Sequence, residues 1–280
     1  MGKVLTDRGS LLSALQLVQQ VVEKKSINPI LSSVVFECSD VDNLILEATN
    51  LEESIRINIW AEIYEPFRCA IPFRKLTEFV RELPDLPITL KYDGNLLYIE
   101  VEKISASFPV MDLEDYPGLP EEPENLVQLS REFLYSSISK VSFSIAKDSV
   151  STSLMGMLFK KEQDTISFVS TDGHRLSLVE ESVEGIDIDD FEILIPRKAV
   201  NEVVRILEKK VDEEVVYFGT VGSHLYMRIG NIRFFTRLID AKFPNYRRVI
   251  PENFERSFVV DKANLLKAAK RVSLFSDDKI

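Results

Sequence analysis

The 280-residue chain is poor in the residues that usually advertise chemistry. It has two cysteines, Cys38 and Cys69, in unrelated contexts. They supply neither a disulfide framework nor the paired spacing of a zinc site, so a reducing, cytoplasmic setting is expected. Its two histidines stand in no metal-ligand spacing, and no metal or other cofactor is expected. No apolar run approaches the ~20 residues that span a bilayer, and the N-terminus lacks a basic-then-apolar leader. A membrane partner is therefore not expected. Asn-x-Ser/Thr sequons, low-complexity tracts and glycine-rich phosphate loops are also missing. So is an excess of positive charge: the formal net charge is -11, which by itself argues against a nucleic-acid partner. What remains is ordinary. With 45% hydrophobic and 28% charged residues, the chain is globular and long enough for two domains or more.

The pattern along the chain repeats. Residues 7–23 read as a helix, with Leu11, Leu15, Val18 and Val22 at helical spacing and Asp7 or Thr6 placed to cap it. Short apolar, β-branched runs at 33–38, 44–49, 54–59 and 67–71 predict strands. Pro72 opens a second helix, 73–83, in the position where proline is tolerated. Strands at 88–92 and 96–101 flank the turn Asp93-Gly94-Asn95, and a further run holds Ala106 and Phe108. An acidic, proline-bearing connector spans 116–123. The order then recurs: a helix at 130–143, strands at 154–160, 165–169 and 176–179, and a run at 193–195 leading into Pro196. A Pro-led helix follows at 197–209, then strands at 215–218, 225–229 and 232–238. Phe258-Val259-Val260-Asp261 and a helix at 262–274 open the pattern a third time. The period is about 125 residues, far longer than that of a solenoid. Domains are thus expected at 1–120, 121–251 and 252–280, the last being only the first strand and helix of another copy. A lone amphipathic helix has nothing to bury its face against, so that third copy is expected to be cut short.

Between the predicted strands 165–169 and 176–179 stands Ser170-Thr171-Asp172-Gly173-His174-Arg175-Leu176. Asp-Gly between two apolar runs marks a tight turn, because glycine takes φ > 0 without steric cost. Three readings are open. The segment is a turn and nothing more, or a binding corner that holds polar and apolar groups rigidly at a surface. Or it is a catalytic corner, a small hydrolase site with His174 as general base and Asp172 as its orienter. The catalytic reading lacks an accompanying nucleophile, and His224 lies on a separate strand or turn with no evident partner.

Four segments in order carry a resemblance to a known family. Leu154-Met155-Gly156-Met157-Leu158-Phe159 and Thr171-Asp172-Gly173-His174-Arg175-Leu176 are the first two. Ala241-Lys242-Phe243-Pro244-Asn245-Tyr246-Arg247-Arg248-Val249-Ile250-Pro251 is the third. Lys270-Arg271-Val272-Ser273-Leu274 with Ser276-Asp277-Asp278-Lys279 is the last. On these the chain resembles the bacterial sliding clamps, the beta subunits of DNA polymerase III. The resemblance implies an α+β DNA clamp fold, repeated domains each with outer antiparallel sheets and two inner helices. It implies a non-catalytic processivity factor that closes, when full length, as a homodimer ring around double-stranded DNA without reading its sequence. The partners implied are the replicative DNA polymerase, the clamp loader and repair proteins, which insert short apolar motifs into a cleft. A non-replicative protein-binding module is the remaining alternative. Family members carry three domains, so the 280-residue chain by itself is expected to be a monomer or weak associate.

The implied site residues follow the motifs. The cleft is implied at Leu154, Thr171, Gly173, His174, Arg175, Leu176, Pro244, Arg248 and Val249. Leucine, proline and valine supply apolar walls there, and arginine and histidine a polar rim. The dimer interface is implied at Phe108 on one side and at Leu274 and Phe275 on the other. For DNA, an acidic exterior repels phosphate while cations on the lining helices attract it locally. The candidates for DNA-facing positions are Lys24, Lys25, Arg74, Lys75, Arg81, Lys140, Lys147, Arg197, Lys198 and Arg205.

Overall fold

A computed structural model describes residues 2–23, 27–38, 42–183, 189–209, 213–251, 253 and 255–275. The chain divides into two compact units, Met1–Phe243 and Pro244–Ile280.

Within the first unit one series of elements occurs twice. The first repeat runs β1 (Gly2–Asp7), α1 (Arg8–Val18), β2 (Ser33–Cys38), β3 (Asn43–Thr49), β4 (Glu53–Glu65) and β5 (Phe67–Pro72). It continues with α2 (Phe73–Glu82), β6 (Pro87–Tyr92), β7 (Leu96–Val101) and β8 (Ile104–Pro109). The second runs β9 (Val127–Ser130), α3 (Arg131–Val141), β10 (Gly156–Glu162), β11 (Thr165–Thr171), β12 (Leu176–Ser182) and β13 (Phe191–Pro196). It closes with α4 (Arg197–Glu208), β14 (Val215–Val221), β15 (His224–Ile229) and β16 (Ile232–Arg237). Pairing among the described strands is antiparallel, and the helices pack against one another and against the sheets. The expected α+β class is therefore what the chain adopts.

Local chemistry sets the helix ends. The Asp7 carboxylate accepts from the Ser10 N–H at 2.7 Å, satisfying one of the donors that a helix start leaves orphaned. Ser130 does the same for α3 through the Phe133 N–H at 3.4 Å. Pro72 and Pro196 precede α2 and α4, which have no side-chain cap. Helix α1 stops at Val18 instead of running to residue 23. Val21 and Val22 remain buried, but the chain turns, and the Asn50 side-chain amide donates to the Val21 carbonyl at 3.0 Å. A side chain thus takes over an acceptor that a longer helix would have used. Strands β1 and β9 lie ahead of the predicted helices and were not expected. Their alternation is short: Val4 and Thr6 are buried in β1, and only Leu129 in β9. The predicted strand at 154–160 also starts later, at Gly156, because Thr152–Met155 forms a 3-10 turn. A Cβ on Gly156 would meet the Ile239 Cδ1 at 2.8 Å and the Ile195 carbonyl at 2.9 Å, so the close approach needs glycine.

The sheet runs unbroken from one repeat into the other through β4, a strand of 13 residues. Its first half pairs with β3, from Thr49 opposite Ser54 to Asn43 opposite Trp60. The same stretch pairs with β16, from Thr236 opposite Glu53 to Ile232 opposite Ile57. Its second half pairs with β1. Ile55, Ile57, Ile59 and Ala61 all point into one core that includes residues of both repeats. The remaining strands of the second repeat, β12-β11-β10-β13, form a separate four-stranded sheet.

The second unit holds a 3-10 turn, Tyr246–Val249, and α5 (Lys262–Ser273), capped by Asp261 through the Asn264 N–H at 2.9 Å. Leu265, Leu266, Val272, Leu274 and Phe275 are exposed on it and just beyond it. The Ser276-Asp277-Asp278-Lys279 segment lies outside the described residues.

Because Ile57 is buried where β3, β4 and β16 meet, Ile57→Ala is expected to cost about 2–5 kcal/mol. Hydrogen exchange should show lost protection in β2 and in β15 together. Loss confined to the first repeat would mean that the repeats are not mechanically joined.

Candidate functional site

The corner after β11 is one of two copies of the same turn. In the second repeat the Asp172 carboxylate accepts from the N–H groups of His174 and Arg175, each at 3.0 Å. In the first repeat the Asn50 side-chain oxygen accepts from Glu52 at 3.1 Å and Glu53 at 2.8 Å. Thr171 donates its hydroxyl to the Arg175 carbonyl at 2.8 Å, and Thr49 donates to the Glu53 carbonyl at 3.1 Å. The residue at the left-handed position is Gly173 in one copy, φ +87°, and Leu51 in the other, φ +74°. Backbone geometry is therefore common to both, and the side chains that differ are not required by the turn.

Their surroundings differ around the tip. The first corner is anchored to the second repeat, with Asn50 and Glu53 buried and the Arg237 N–H donating to the Glu52 carbonyl at 2.8 Å, while Leu51 and the Glu52 side chain at its tip are exposed. In the second corner Gly173, His174 and Arg175 are exposed. Arg175 is nonetheless fixed. Its Nε lies 2.9 Å from Asp172 Oδ2, its Nη2 donates to the Phe143 carbonyl at 2.9 Å, and its guanidinium sits 5.4 Å from the Phe143 ring centroid. The His174 N–H, followed by the N–H and guanidinium of Arg175, holds the Asp172 carboxyl below the usual carboxylate range. That carboxylate is spent on backbone and arginine, and among the described residues no hydrogen bond joins it to the His174 ring.

Two leucines flank this corner. Leu176 begins β12, half-buried, opposite Thr171. Leu154 is half-buried in its 3-10 turn, and its carbonyl accepts from Ala146 at 3.0 Å. Two residues before Ala146, the Ser144 hydroxyl meets that of Ser177 at 2.7 Å, and Ser177 adjoins Leu176. Hydrogen bonds thus tie the Leu154 turn to the start of β12, and Ser170 anchors the corner to α3 through the Val141 carbonyl. Phe143 and this loop were not singled out from sequence, and only its exposed aromatic residue hints at them. In the second unit Pro244, Arg248 and Val249 are exposed, Val249 at 69%.

The cations expected to face DNA are differently employed. Lys24 and Lys25 lie outside the described residues. Lys75, Arg81, Lys140 and Lys147 are exposed. Arg74 is exposed and pairs along α2 with Glu78 at 3.1 Å. Arg197 is half-buried and donates to the Ile145 carbonyl at 3.2 Å. Lys198 lies 2.7 Å from Glu53 of the other repeat, and Arg205 lies 3.3 Å from Glu202. Burial pushes the Glu202 carboxyl up; Arg205 opposes the shift and Glu53 adds to it. Of the residues expected at a subunit contact, Phe108 points into its own domain, 8% exposed, with its ring centroid 5.6 Å from that of Phe79. The other face of β8, with Ser105, Ser107 and Pro109, is exposed. Leu274 and Phe275 are exposed, at 80% and 91%. Among the described residues there is no cluster of three potential metal ligands, and no helix is long and apolar enough to cross a membrane.

A module of two helices and antiparallel sheets, repeated in one chain and joined edge to edge, defines a protein built by repetition around binding surfaces. Family models place it. Residues 3–120 match the N-terminal domain of the DNA polymerase III beta subunit, and residues 128–245 match its central domain. The beta sliding clamp of Pseudomonas putida is 32% identical over 277 residues, covering 97% of this chain and 74% of that protein. The crystal structure of the DNA polymerase III beta subunit of Pseudomonas aeruginosa superposes with a TM-score of 0.91 at 29% identity, covering 99% of this chain and 75% of that one. A P. aeruginosa sliding clamp bound to griselimycin gives a TM-score of 0.90 at 28% identity, covering 99% and 75%. The chain belongs to the DNA polymerase III beta-subunit family, the bacterial sliding clamps, and its function is that of a DNA polymerase processivity clamp.

The lowered Asp172 fixes a sign for pH dependence. Its contribution to corner order is present above the ordinary carboxylate value of ~3.9 and is lost as pH falls through the lower folded value. The His174 and Arg175 amide resonances should therefore move only below pH ~4. Asp172→Asn, which copies Asn50, should keep the turn and abolish that step. A step that survives in the variant would assign it to another group.

Proposed function

We propose that the exposed corner is half of a peptide-docking cleft and that the chain is a non-catalytic, cytoplasmic clamp. The observation that carries the cleft is the duplicated turn, whose flanking Asn50 and Glu53 are buried at the joint in one repeat while the matching Arg175 is exposed in the other. Leu154 and Leu176 form its apolar floor, the backbone of Thr171 and Gly173 shapes its edge, and His174 and Arg175 give a polar rim. The family resemblance also implies Pro244, Arg248 and Val249, which are exposed in the second unit. The ligands are short apolar motifs on the replicative polymerase, the clamp loader and repair proteins. Domains at 1–120, 121–251 and 252–280 carry this arrangement, with a homodimer contact at the β8 edge beside Phe108 and at Leu274 and Phe275 of the partner copy.

In a hydrolase the Asp172 carboxylate would orient His174. It is instead occupied by two N–H groups and Arg175, which favours the binding reading.

Fluorescence anisotropy with a labelled apolar pentapeptide tests the cleft, in a chain carried to the full length of its relatives. Losing each leucine contact removes about 1.5–3 kcal/mol, so Leu154→Ala or Leu176→Ala should weaken binding by roughly tenfold or more. Unchanged affinity would remove both residues from the site.

The DNA-facing role is proposed for Lys24, Lys25, Arg74, Lys75, Arg81, Lys140, Lys147, Arg197 and Arg205. These contacts go to phosphates and carry no sequence information. Lys75→Ala with Lys140→Ala should flatten the dependence of log affinity on log salt by about two, since each lost phosphate contact lowers the slope by about one. An unchanged slope would take both lysines off the DNA path.

A further inference from the structure

We infer that Lys198, which the family resemblance puts among the DNA-facing cations, is a latch that joins the two repeats. It neutralises the buried carboxylate of Glu53 across the β4–β16 seam.

The chain contains its own control. Arg74 and Lys198 each stand two residues after the proline that opens their helix, and each has a glutamate four residues on, Glu78 and Glu202. In α2 that local pair is made, Arg74 to Glu78 at 3.1 Å, with both side chains in solvent. In α4 it is not the pair that forms. Lys198 reaches out of its own repeat to Glu53 at 2.7 Å, and Glu202 pairs with Arg205 at 3.3 Å. The same helix position therefore serves a local contact where it is free and a cross-repeat contact where the repeats meet.

Burial explains the choice. The Glu53 side chain is 2% exposed and neither of its oxygens has a hydrogen-bond donor of good geometry among the described residues; the Lys198 ammonium, on a side chain 58% exposed, meets Oε2 as an ion pair. It sits at the end of β4 opposite Thr236 of β16, with Glu202 close enough for their charges to be felt. An isolated carboxylate in such a place is strongly disfavoured, and an opposite charge in contact offsets that cost. The groups facing it are Lys198, Glu202 and Arg205, all from α4. Lys198 is the cation in contact, while Arg205 is engaged by Glu202. With its charge offset by Glu53, Lys198 offers little net attraction to a phosphate, so the latch holds whether or not DNA is present. This inference stands on the seam alone and does not depend on the peptide cleft.

The test is a double-mutant cycle in the whole chain, with Lys198→Met, Glu53→Gln and both together. The readouts are hydrogen exchange at the Arg237 amide, which bonds across the seam, and the salt dependence of DNA affinity. Removing Lys198 leaves the buried Glu53 carboxylate without a cation in contact, so Lys198→Met alone should speed Arg237 exchange by roughly tenfold relative to the amides of β10. In the Glu53→Gln background the same change should alter exchange by less than about threefold. The salt slope should be unchanged by Lys198→Met. Equal effects in the two backgrounds, or a slope lowered by about one, would overturn the latch. Should Lys198→Met alone fail to fold, recovery of folding in the double variant supports it, and failure to recover refutes it.

Discussion

A β-strand has two edges, and over residues 54–57 β4 has both of them occupied, by β3 on one side and β16 on the other. Everything else in the first unit is arranged around that saturation. A strand with no free edge cannot template association, and its side chains face packed neighbours along its whole first half. Ile55 and Ile57 are buried there because sheet, helix and second repeat converge on them. The second repeat consequently has no independent orientation to choose. Its last strand is registered residue by residue on β4, and a slip by one would turn every apolar side chain of β16 to the wrong face.

Saturating that edge also decides the fate of the two corners. The turn that feeds β4 is anchored by the repeat that pairs with it, so its buried residues serve packing and charge balance: Asn50 holds the backbone and Glu53 meets Lys198. The turn that feeds β12 has no such cover within the first unit, and β12 is the outer strand of its sheet. The fold pays the same backbone requirement twice and leaves one copy free to vary. Glycine replaces a strained leucine, and histidine and arginine replace two glutamates, one of them buried at the seam. On the proposed cleft, recognition residues stand where stability asks for nothing beyond the turn.

Sequence alone carried the parts of this that are local. Periodicity and the two helix-opening prolines placed α2 and α4 to within a residue or so, and Asp-Gly placed the exposed corner. The repeat itself was legible because the order of patterns recurred. Strands β1 and β9 were not, since one or two buried side chains make too short an alternation to stand out beside a helix. Phe258-Val259-Val260, expected as the strand opening the third copy, forms no strand and is exposed, because among the described residues no partner strand of that copy is there to pair with it. The end of α1 was overrun because Val21 and Val22 continue the apolar spacing after the helix has stopped, and the bond that stops it comes from Asn50, far along the chain. The β4–β16 pairing and the Glu53–Lys198 contact are equally non-local. Glu53 in isolation looks like a solvated charge, and only the fold makes it a buried one.

Charge accounting reconciles an acidic chain with a polyanionic partner. Several of the cations in line for DNA are held by carboxylates: Arg74 by Glu78, Lys198 by Glu53 and Arg205 by Glu202. Arg197 is held by a backbone carbonyl. Lys75, Lys140 and Lys147 are exposed with no ion pair among the described residues. On the proposed DNA-facing assignment, a small set of free lysines would attract phosphate without fixing a register, because a flexible ammonium is a point charge that any phosphate satisfies. A dense basic face would grip the duplex, and a neutral one would not retain it in line. Sliding needs the intermediate case, and the chain reaches it by tying up cations internally rather than by having few.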